Sequence, residues 1–375
     1  MTQLKIKKVE IFATGDPNAE TVRWAYYMDE IFTTNIICKI TTECGLVGLG
    51  ATIAYTEHDF DLSILEAVKP YLPGLIGKSA HDREAIWDWM ASRPNWMAFP
   101  TISIIDIALW DLAAKNAKQP LYQFLGAKRE KILSYASTPM FDTEIEYMKY
   151  IEECIEEGFV SIKVHSYCKF QDDYELIKNI QKKFGDSGID FLLDVDQQYN
   201  REEAYKMAKL LEDFGWGWFE APLPDHDLVG YKELKEKTTV PLSCGGNTMI
   251  SLKEFQTGIN FGAWTDLRAD VTVAGGITPM LKIMALAQAN NMRCEVQSWG
   301  MTLTQAANLH IMLSHNNCTY FEQAFPYERF EVGSKTLIRT DKEGFVHAPE
   351  GYGLGVELDW DEIERTTLRK LVYGA

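Results

Sequence analysis

From about residue 130 onward the chain alternates short β-rich runs with helix-period stretches, and that rhythm constrains the fold more than any other feature. The runs fall at 132–137, 161–166, 190–196, 216–221, 241–245, 269–274, 293–298 and 320–323, at spacings of roughly 25 to 30 residues, as expected of strand–helix repeats. Amphipathic stretches such as 143–157, 201–214 and 277–290 lie between them. Parallel strands need a long crossover, and a helix is the usual way to make one. The alternation therefore predicts an α/β protein built on a parallel TIM-type barrel. An open doubly wound sheet is the competing arrangement, but no Gly-x-Gly-x-x-Gly follows the first strand to form a dinucleotide site.

Residues 1–125 read differently. Strands expected at 5–13 and 31–42 precede helices, including a long one at 103–118, which predicts an α+β capping domain. The barrel is expected at 126–324. The tail, 325–375, contains Gly351, Gly353 and Gly355, lacks the strand–helix rhythm, and is expected to pack back on the cap. No low-complexity linker separates these parts, so an extensive shared interface is expected. The 375 residues are 46% hydrophobic, enough for two domains with sizeable cores. A net charge of −17 argues against nucleic acid, whose phosphates need a basic footprint. No apolar run reaches the ~20 residues of a membrane span, and the N-terminus lacks the apolar region of a signal peptide. The seven cysteines are scattered without a Cys-x-x-Cys pair, which suits reduced thiols. A cytoplasmic protein with a small-molecule partner is expected.

In a parallel barrel, chemistry is built from side chains at the C-terminal ends of the strands. The second strand ends Lys163-Val164-His165, and i,i+2 spacing points both polar side chains the same way. The third ends Asp194-Val195-Asp196 by the same rule. Glu220 ends the fourth, Asp270 belongs to the sixth, Glu295 and Gln297 to the seventh, and Glu322 to the eighth. Taken singly, each has a plain structural role: a carboxylate at a strand end commonly caps a helix or joins an ion pair. Together they would cost desolvation energy without a use for them. A cation is the simplest partner for Asp194, Asp196 and Glu220, and hard oxygen ligands favour Mg²⁺.

A resemblance adds to this reading. The segment Ile104-Ile105-Asp106-Ile107-Ala108-Leu109-Trp110-Asp111-Leu112-Ala113-Ala114-Lys115, followed by Pro120-Leu121-Tyr122-Gln123-Phe124-Leu125-Gly126, resembles the helix that leads into the barrel of the enolase superfamily. Trp218-Phe219-Glu220-Ala221-Pro222, the Gly245-Gly246-Asn247 turn, Asp270 before Gly275-Gly276-Ile277-Thr278, and Glu322 follow in order. The likeness runs from Lys5 to the tail and is nearest the mandelate racemase subgroup. It implies a modified (β/α)7β barrel and a carboxylate substrate held on Mg²⁺. It also implies a base that takes the α-proton and an enediolate intermediate. Asp194 and Glu220 match two metal ligands, Lys163 and His165 the basic pair, and Glu322 the acid beside the enolate oxygen. Dimers to octamers are usual in the family.

Two positions depart from the family pattern. Gly246 stands where a third carboxylate ligand belongs. Asp196, Asn247 or water could complete the shell, Glu295 could reach in, or the metal could be lost with Lys163 holding the substrate carboxylate. On the opposite face Asp270 meets Gln297, which near neutral pH only donates or accepts hydrogen bonds. Racemisation needs a base on each face, so the expected reaction is dehydration of an aldonate or aldarate, with His165 both removing the α-proton and returning it to the leaving hydroxyl. An epimerase or isomerase of a related hydroxy acid, or a catalytically silent sugar-acid binder, is the alternative. Cap loops with Trp24, Tyr26, Tyr27, Met28 and Tyr55, together with Trp96 and Phe99, are expected to cover the mouth, and Trp24, Tyr26, Tyr55, Asn247 and Glu295 to contact substrate.

Overall fold

The computed structural model describes residues 4–15, 23, 34–54, 58–92 and 99–375, except the side chains at 53, 54 and 58–61. Trp24, Tyr26, Tyr27, Met28, Tyr55 and Trp96 lie outside the described residues.

The cap is built on strands β1 (Ile6–Thr14), β2 (Thr34–Thr42) and β3 (Val47–Ala54), followed by helices α1 (His58–Val68), α2 (Leu72–Leu75), α3 (Arg83–Ala91), α4 (Phe99–Asn116) and α5 (Leu121–Phe124). β1 and β2 pair antiparallel with Val9 opposite Ile40 and Ile11 opposite Cys38, a mostly β-branched set that is fully buried. α4 is buried around most of its girth, with Ile104, Ile105, Ile107, Leu109 and Leu112 beside the buried Asp106 and Asp111, as expected of a helix covered on nearly every side. β3 lies directly on it. Gly48 and Gly50 are needed there, because a Cβ at either would collide with the carbonyl oxygen of Ala108 or Ile104.

Eight parallel strands then alternate with helices: β4 (Lys131–Ser137), α6 (Glu144–Glu157), β5 (Ser161–His165), α7 (Phe170–Phe184), β6 (Asp190–Asp194), α8 (Arg201–Phe214), β7 (Phe219–Glu220), α9 (Leu228–Lys235), β8 (Leu242–Cys244), α10 (Leu252–Phe261), β9 (Asp266–Ala269), α11 (Ile277–Ala289), β10 (Cys294–Val296), α12 (Thr302–Ser314) and β11 (Tyr320–Ala324). Their order in the curled sheet is β10-β9-β8-β7-β6-β5-β4-β11. Cys294 N–H donates to the Asn317 carbonyl (2.7 Å) across the two ends. Reciprocal capping boxes at Thr143/Glu146, Asn200/Glu203 and Ser251/Glu254 start α6, α8 and α10 cleanly after the mouth loops.

The tail divides between the two parts. β12 (Phe345–His347) pairs antiparallel with β4 of the barrel, and after α13 (Trp360–Arg365) strand β13 (Thr367–Gly374) adds to the cap sheet beside β1. Asp111 on α4 fastens this return: its carboxylate accepts from Leu49 N–H and Leu354 N–H (2.8 Å each) and from Lys115 Nζ (2.6 Å).

Three strand expectations shift. The run expected at 269–274 is β9 at Asp266–Ala269, because the Asp270 carbonyl accepts from Val273 and Ala274 N–H (3.1 and 2.8 Å) and closes a turn over the β-branched residues. The 216–221 run contracts to β7, with Trp216 and Trp218 packed beside it instead of extending the ladder. The 293–298 run contracts to Cys294–Val296. All seven cysteines are free and only Cys44 is exposed. Among the described residues no helix is long and apolar enough to cross a membrane.

Candidate active site

The parallel ladder carries the polar strand ends to one mouth. His165, Asp194, Glu220 and Ser243 stand abreast, and Lys163 pairs with Ser137 on the other side. Lys163 Nζ lies 2.8 Å from Glu322 Oε1, 3.0 Å from Glu220 Oε1 and 3.3 Å from Asp194 Oδ2, and all four side chains are buried. Burial alone would lower the lysine's affinity for its proton, but Glu220 and Glu322 outweigh it and push its pKa up. Lys163 is therefore held as an ammonium.

His165 is oriented from behind. Its Nδ1 lies 2.6 Å from the Thr138 carbonyl, to which it can only donate, and its Nε2 lies 3.2 Å from Asp194 Oδ2. Thr138 also accepts the His165 backbone N–H at Oγ1 (2.9 Å), and the Trp299 ring stands at 73° with its centroid 6.2 Å away. Burial opposes ionisation of Asp194, yet Lys163 and His165 beside it hold its carboxyl well below the usual range. The Asp196 N–H donates to Asp194 Oδ1 (2.9 Å), while Asp196 itself sits half-buried in a left-handed turn with φ +45°.

The central cation of this arrangement is Arg268, which the sequence reading did not single out. Its Nε donates to Glu220 Oε1 (3.0 Å), Nη2 to Glu322 Oε2 (3.2 Å) and Nη1 to the Glu295 carbonyl (3.2 Å), all fully buried. Glu220 Oε1 thus lies between two cations, and Trp218 Nε1 donates to its Oε2 (3.1 Å). Burial drives the Glu220 carboxyl upward, opposite to its neighbours, although Arg268 and Lys163 pull it down. The ionised form is the one that satisfies all three donors. Glu322 is filled more completely: Ser137 Oγ (3.0 Å) and Trp299 Nε1 (3.1 Å) donate to Oε1, and Ser298 N–H (3.1 Å) to Oε2. Burial resists its ionisation, but Lys163 and Arg268 hold its carboxyl far below the usual range.

The opposite face is quieter. Asp270 Oδ1 accepts from Thr272 N–H (2.6 Å), Thr272 Oγ1 (2.8 Å) and Asn308 Nδ2 (3.0 Å), while Oδ2 is buried without a partner. Burial pushes this carboxyl up to about 6. Gln297 Nε2 faces Asn247 Oδ1 at 3.5 Å on the exposed rim. Glu295 lies deeper, where its carboxylate accepts from Thr319 N–H (2.9 Å) and Tyr320 N–H (3.4 Å) at the start of β11. Phe99 begins α4 and contacts the Gly275 turn beyond β9. Beside the ends of β4 and β5 a cavity of about 580 Å³ is lined by Arg23, Met140, Tyr167 and Lys169 among others.

Residues 30–126 match the N-terminal domain of the mandelate racemase/muconate lactonizing enzyme family, and residues 146–362 match the enolase C-terminal domain-like family. The chain belongs to the enolase superfamily. Among superfamily relatives, the 3,6-anhydro-α-L-galactonate cycloisomerase of Streptomyces coelicolor is 28% identical over 338 residues, covering 88% of this chain and 90% of that protein. The L-talarate/galactarate dehydratase of Salmonella typhimurium is 30% identical over 260 residues, covering 67% and 64%. A crystal structure of a lysine-to-alanine mutant of that dehydratase liganded with Mg and L-glucarate superposes with a TM-score of 0.89 at 24% identity, over 100% of this chain and 94% of that one. A Pseudovibrio sp. protein provisionally described as a mandelate racemase/muconate lactonizing enzyme superposes with a TM-score of 0.97 at 47% identity over 99% of each chain.

The superfamily relation implies a divalent ion, and the donor set here does not fit one. Gly246 brings no carboxylate, and among the described residues no group of three or more His, Cys, Asp or Glu side chains is placed to hold a metal. The facing oxygens of Asp194 and Glu220 are already shared by Lys163, and Glu220's by Arg268 as well. Octahedral Mg²⁺ at about 2.1 Å from such oxygens would stand against two fixed cations. The same i,i+2 rule that joined Lys163 to His165 would have found Arg268, two residues before Asp270.

Proposed function

We propose that the chain is a hydro-lyase that removes water from a polyhydroxy carboxylic acid, an aldonate or aldarate, beginning at the carbon α to the carboxylate. The observation that carries this reading is the fixed tautomer of His165. With Nδ1–H on Thr138, only Nε2 has a lone pair to offer the mouth. Lys163 cannot share the task, because three carboxylates hold it as an ammonium. In the neutral imidazole, Nε2 takes the α-proton, and Asp194 Oδ2 at 3.2 Å steadies the imidazolium that forms. The β-carbon–oxygen bond then breaks, the hydroxyl leaves as water with the proton from Nε2, and the resulting enol becomes a 2-oxo-3-deoxy acid. Proton removal and hydroxyl departure on one side need no second base, which suits Gln297 opposite. Named relatives include dehydratases of acid sugars, which supports the substrate class.

A silent sugar-acid binder is favoured by one observation: Glu220 and Glu322 spend most of their lone pairs on internal donors. Turnover decides between the two. A panel of aldonic and aldaric acids, assayed for 2-oxo acid, should contain a substrate whose turnover disappears in His165→Asn with the melting temperature unchanged. Turnover that survives His165→Asn would remove the assignment, and a panel bound without turnover would favour the binder.

A further inference from the structure

We propose that Arg268 holds the place of the divalent ion, so that the carboxylates of this enolase-superfamily site are gathered by its own side chains and the site is organised without metal. The inference stands on the arrangement of the ions and not on the hydro-lyase reading. A metal at such a mouth gathers carboxylates that would otherwise repel one another. Here a guanidinium does so: one side of its fork meets Glu220 and another meets Glu322, while the third nitrogen is tied to a backbone carbonyl. Arginine suits the position because it stays charged at every accessible pH and its donors are fixed in a plane. Lysine would be a single point charge able to meet fewer of these acceptors.

Charge counting points the same way. Asp194, Glu220 and Glu322 carry three negative charges, and Lys163 and Arg268 carry two positive ones. A dication added to this set would leave buried positive charge uncompensated, which a low-dielectric interior penalises heavily.

The vacant ligand position and the arginine also touch. Gly246 has φ +89°, and a Cβ built on it would come 2.7 Å from the Arg268 carbonyl oxygen and 3.0 Å from its carbonyl carbon. The backbone that presents Arg268 therefore occupies the room that a ligand-bearing residue at 246 would need. The absent carboxylate at 246 and the arginine at 268 thus meet at one point between the β8 and β9 ends. Arg268 is a positioning residue: it touches the carboxylates and not the reacting atoms.

The test is metal binding by the whole protein. Wild-type chain dialysed against chelator and then against MgCl₂ should hold no stoichiometric Mg²⁺ by elemental analysis. Its melting temperature should also be the same with MgCl₂ or with chelator, because an ion that binds the folded state raises the melting point. Arg268→Gln, which uncovers Glu220 and Glu322, should be destabilised and should gain a Mg²⁺-dependent rise of several degrees; Arg268→Lys should show a smaller dependence. One Mg²⁺ per wild-type chain, lost in Asp194→Asn, would overturn the proposal. If Arg268→Gln does not fold, the wild-type measurement decides alone. The panel assay can fail with this result standing, or succeed with this result overturned, so the two readings are separable.

Discussion

Gly246 offers the sharpest structural prediction, since replacing it with alanine adds one methyl group and nothing else. Its φ of +89° lies where an L side chain meets the following carbonyl, at a cost of roughly 1–2 kcal/mol. The new Cβ would also stand 2.7 Å from the Arg268 carbonyl oxygen. That oxygen cannot swing aside as a side chain would, because Arg268 is paired with Glu295 in the β9–β10 ladder. Overpacking against a fixed backbone adds about 1–3 kcal/mol. The expected total is about 2–5 kcal/mol, large for a one-carbon change. It should be read as a fall in urea midpoint at unchanged slope, with far-UV dichroism and tryptophan fluorescence followed together to check two-state behaviour. Gly246→Glu carries the same strain, so restoring the carboxylate should not restore a metal site. A Gly246→Ala protein within about 0.5 kcal/mol of wild type would refute the reasoning, because β9 would then be free to yield.

Two further outcomes follow from buried carboxylates. Asp270, pushed by burial from 3.8 up to about 6, binds its proton more tightly folded than unfolded, so its contribution is present below about pH 4 and lost as pH rises through 6. The loss amounts to about 3 kcal/mol; Asp270→Asn should therefore match wild type in thermal melts at pH 5 more closely than at pH 8, where it should be the more stable, and a variant less stable at pH 8 would contradict the assignment. Asp111→Ala should cost about 3–5 kcal/mol in denaturant unfolding, since it strands the Leu49 and Leu354 N–H groups and Lys115 in the cap–tail junction; a loss below about 1 kcal/mol would mean the junction is held elsewhere.

The barrel and its cap were legible because periodicity is a property of many residues at once, and a shifted boundary leaves the pattern intact. Lys163, His165, Asp194, Glu220 and Glu322 were legible for a second reason: strand parity brings them together whatever the loops do. Arg268 escaped because Val271-Thr272-Val273 drew the expected sixth strand past its real end. The Asp270 carbonyl closes a turn there instead, and the strand proper is Asp266–Ala269. With the strand misplaced by three residues at its start, the arginine fell outside it. Glu295 shows the converse. Parity with Gln297 is real, but depth is not written in alternation, and its carboxylate is absorbed by the N–H groups that open β11. Trp24, Tyr26 and Tyr55, expected to cover the mouth, lie outside the described residues.

The relatives and the ion cluster bear on different parts of the function. Shared fold and cap place the chain in the superfamily, while the charges bear on what can happen at the mouth. In a metal-centred site an arriving carboxylate meets spare positive charge. Here the three carboxylates already answer Lys163 and Arg268, so on the hydro-lyase reading a substrate carboxylate arrives as a fourth anion. Two unit charges 4 Å apart at an effective dielectric of 20 repel by about 4 kcal/mol, too much to ignore and little enough for one proton to offset. The mouth has a group able to keep such a proton without disturbing the cluster: Asp270, whose partnerless Oδ2 and raised affinity favour the neutral acid. On the hydro-lyase reading proposed above, the work divides between two groups: Asp270 as the neutral acid adds no further negative charge, and the Nε2 lone pair of His165 takes the α-proton.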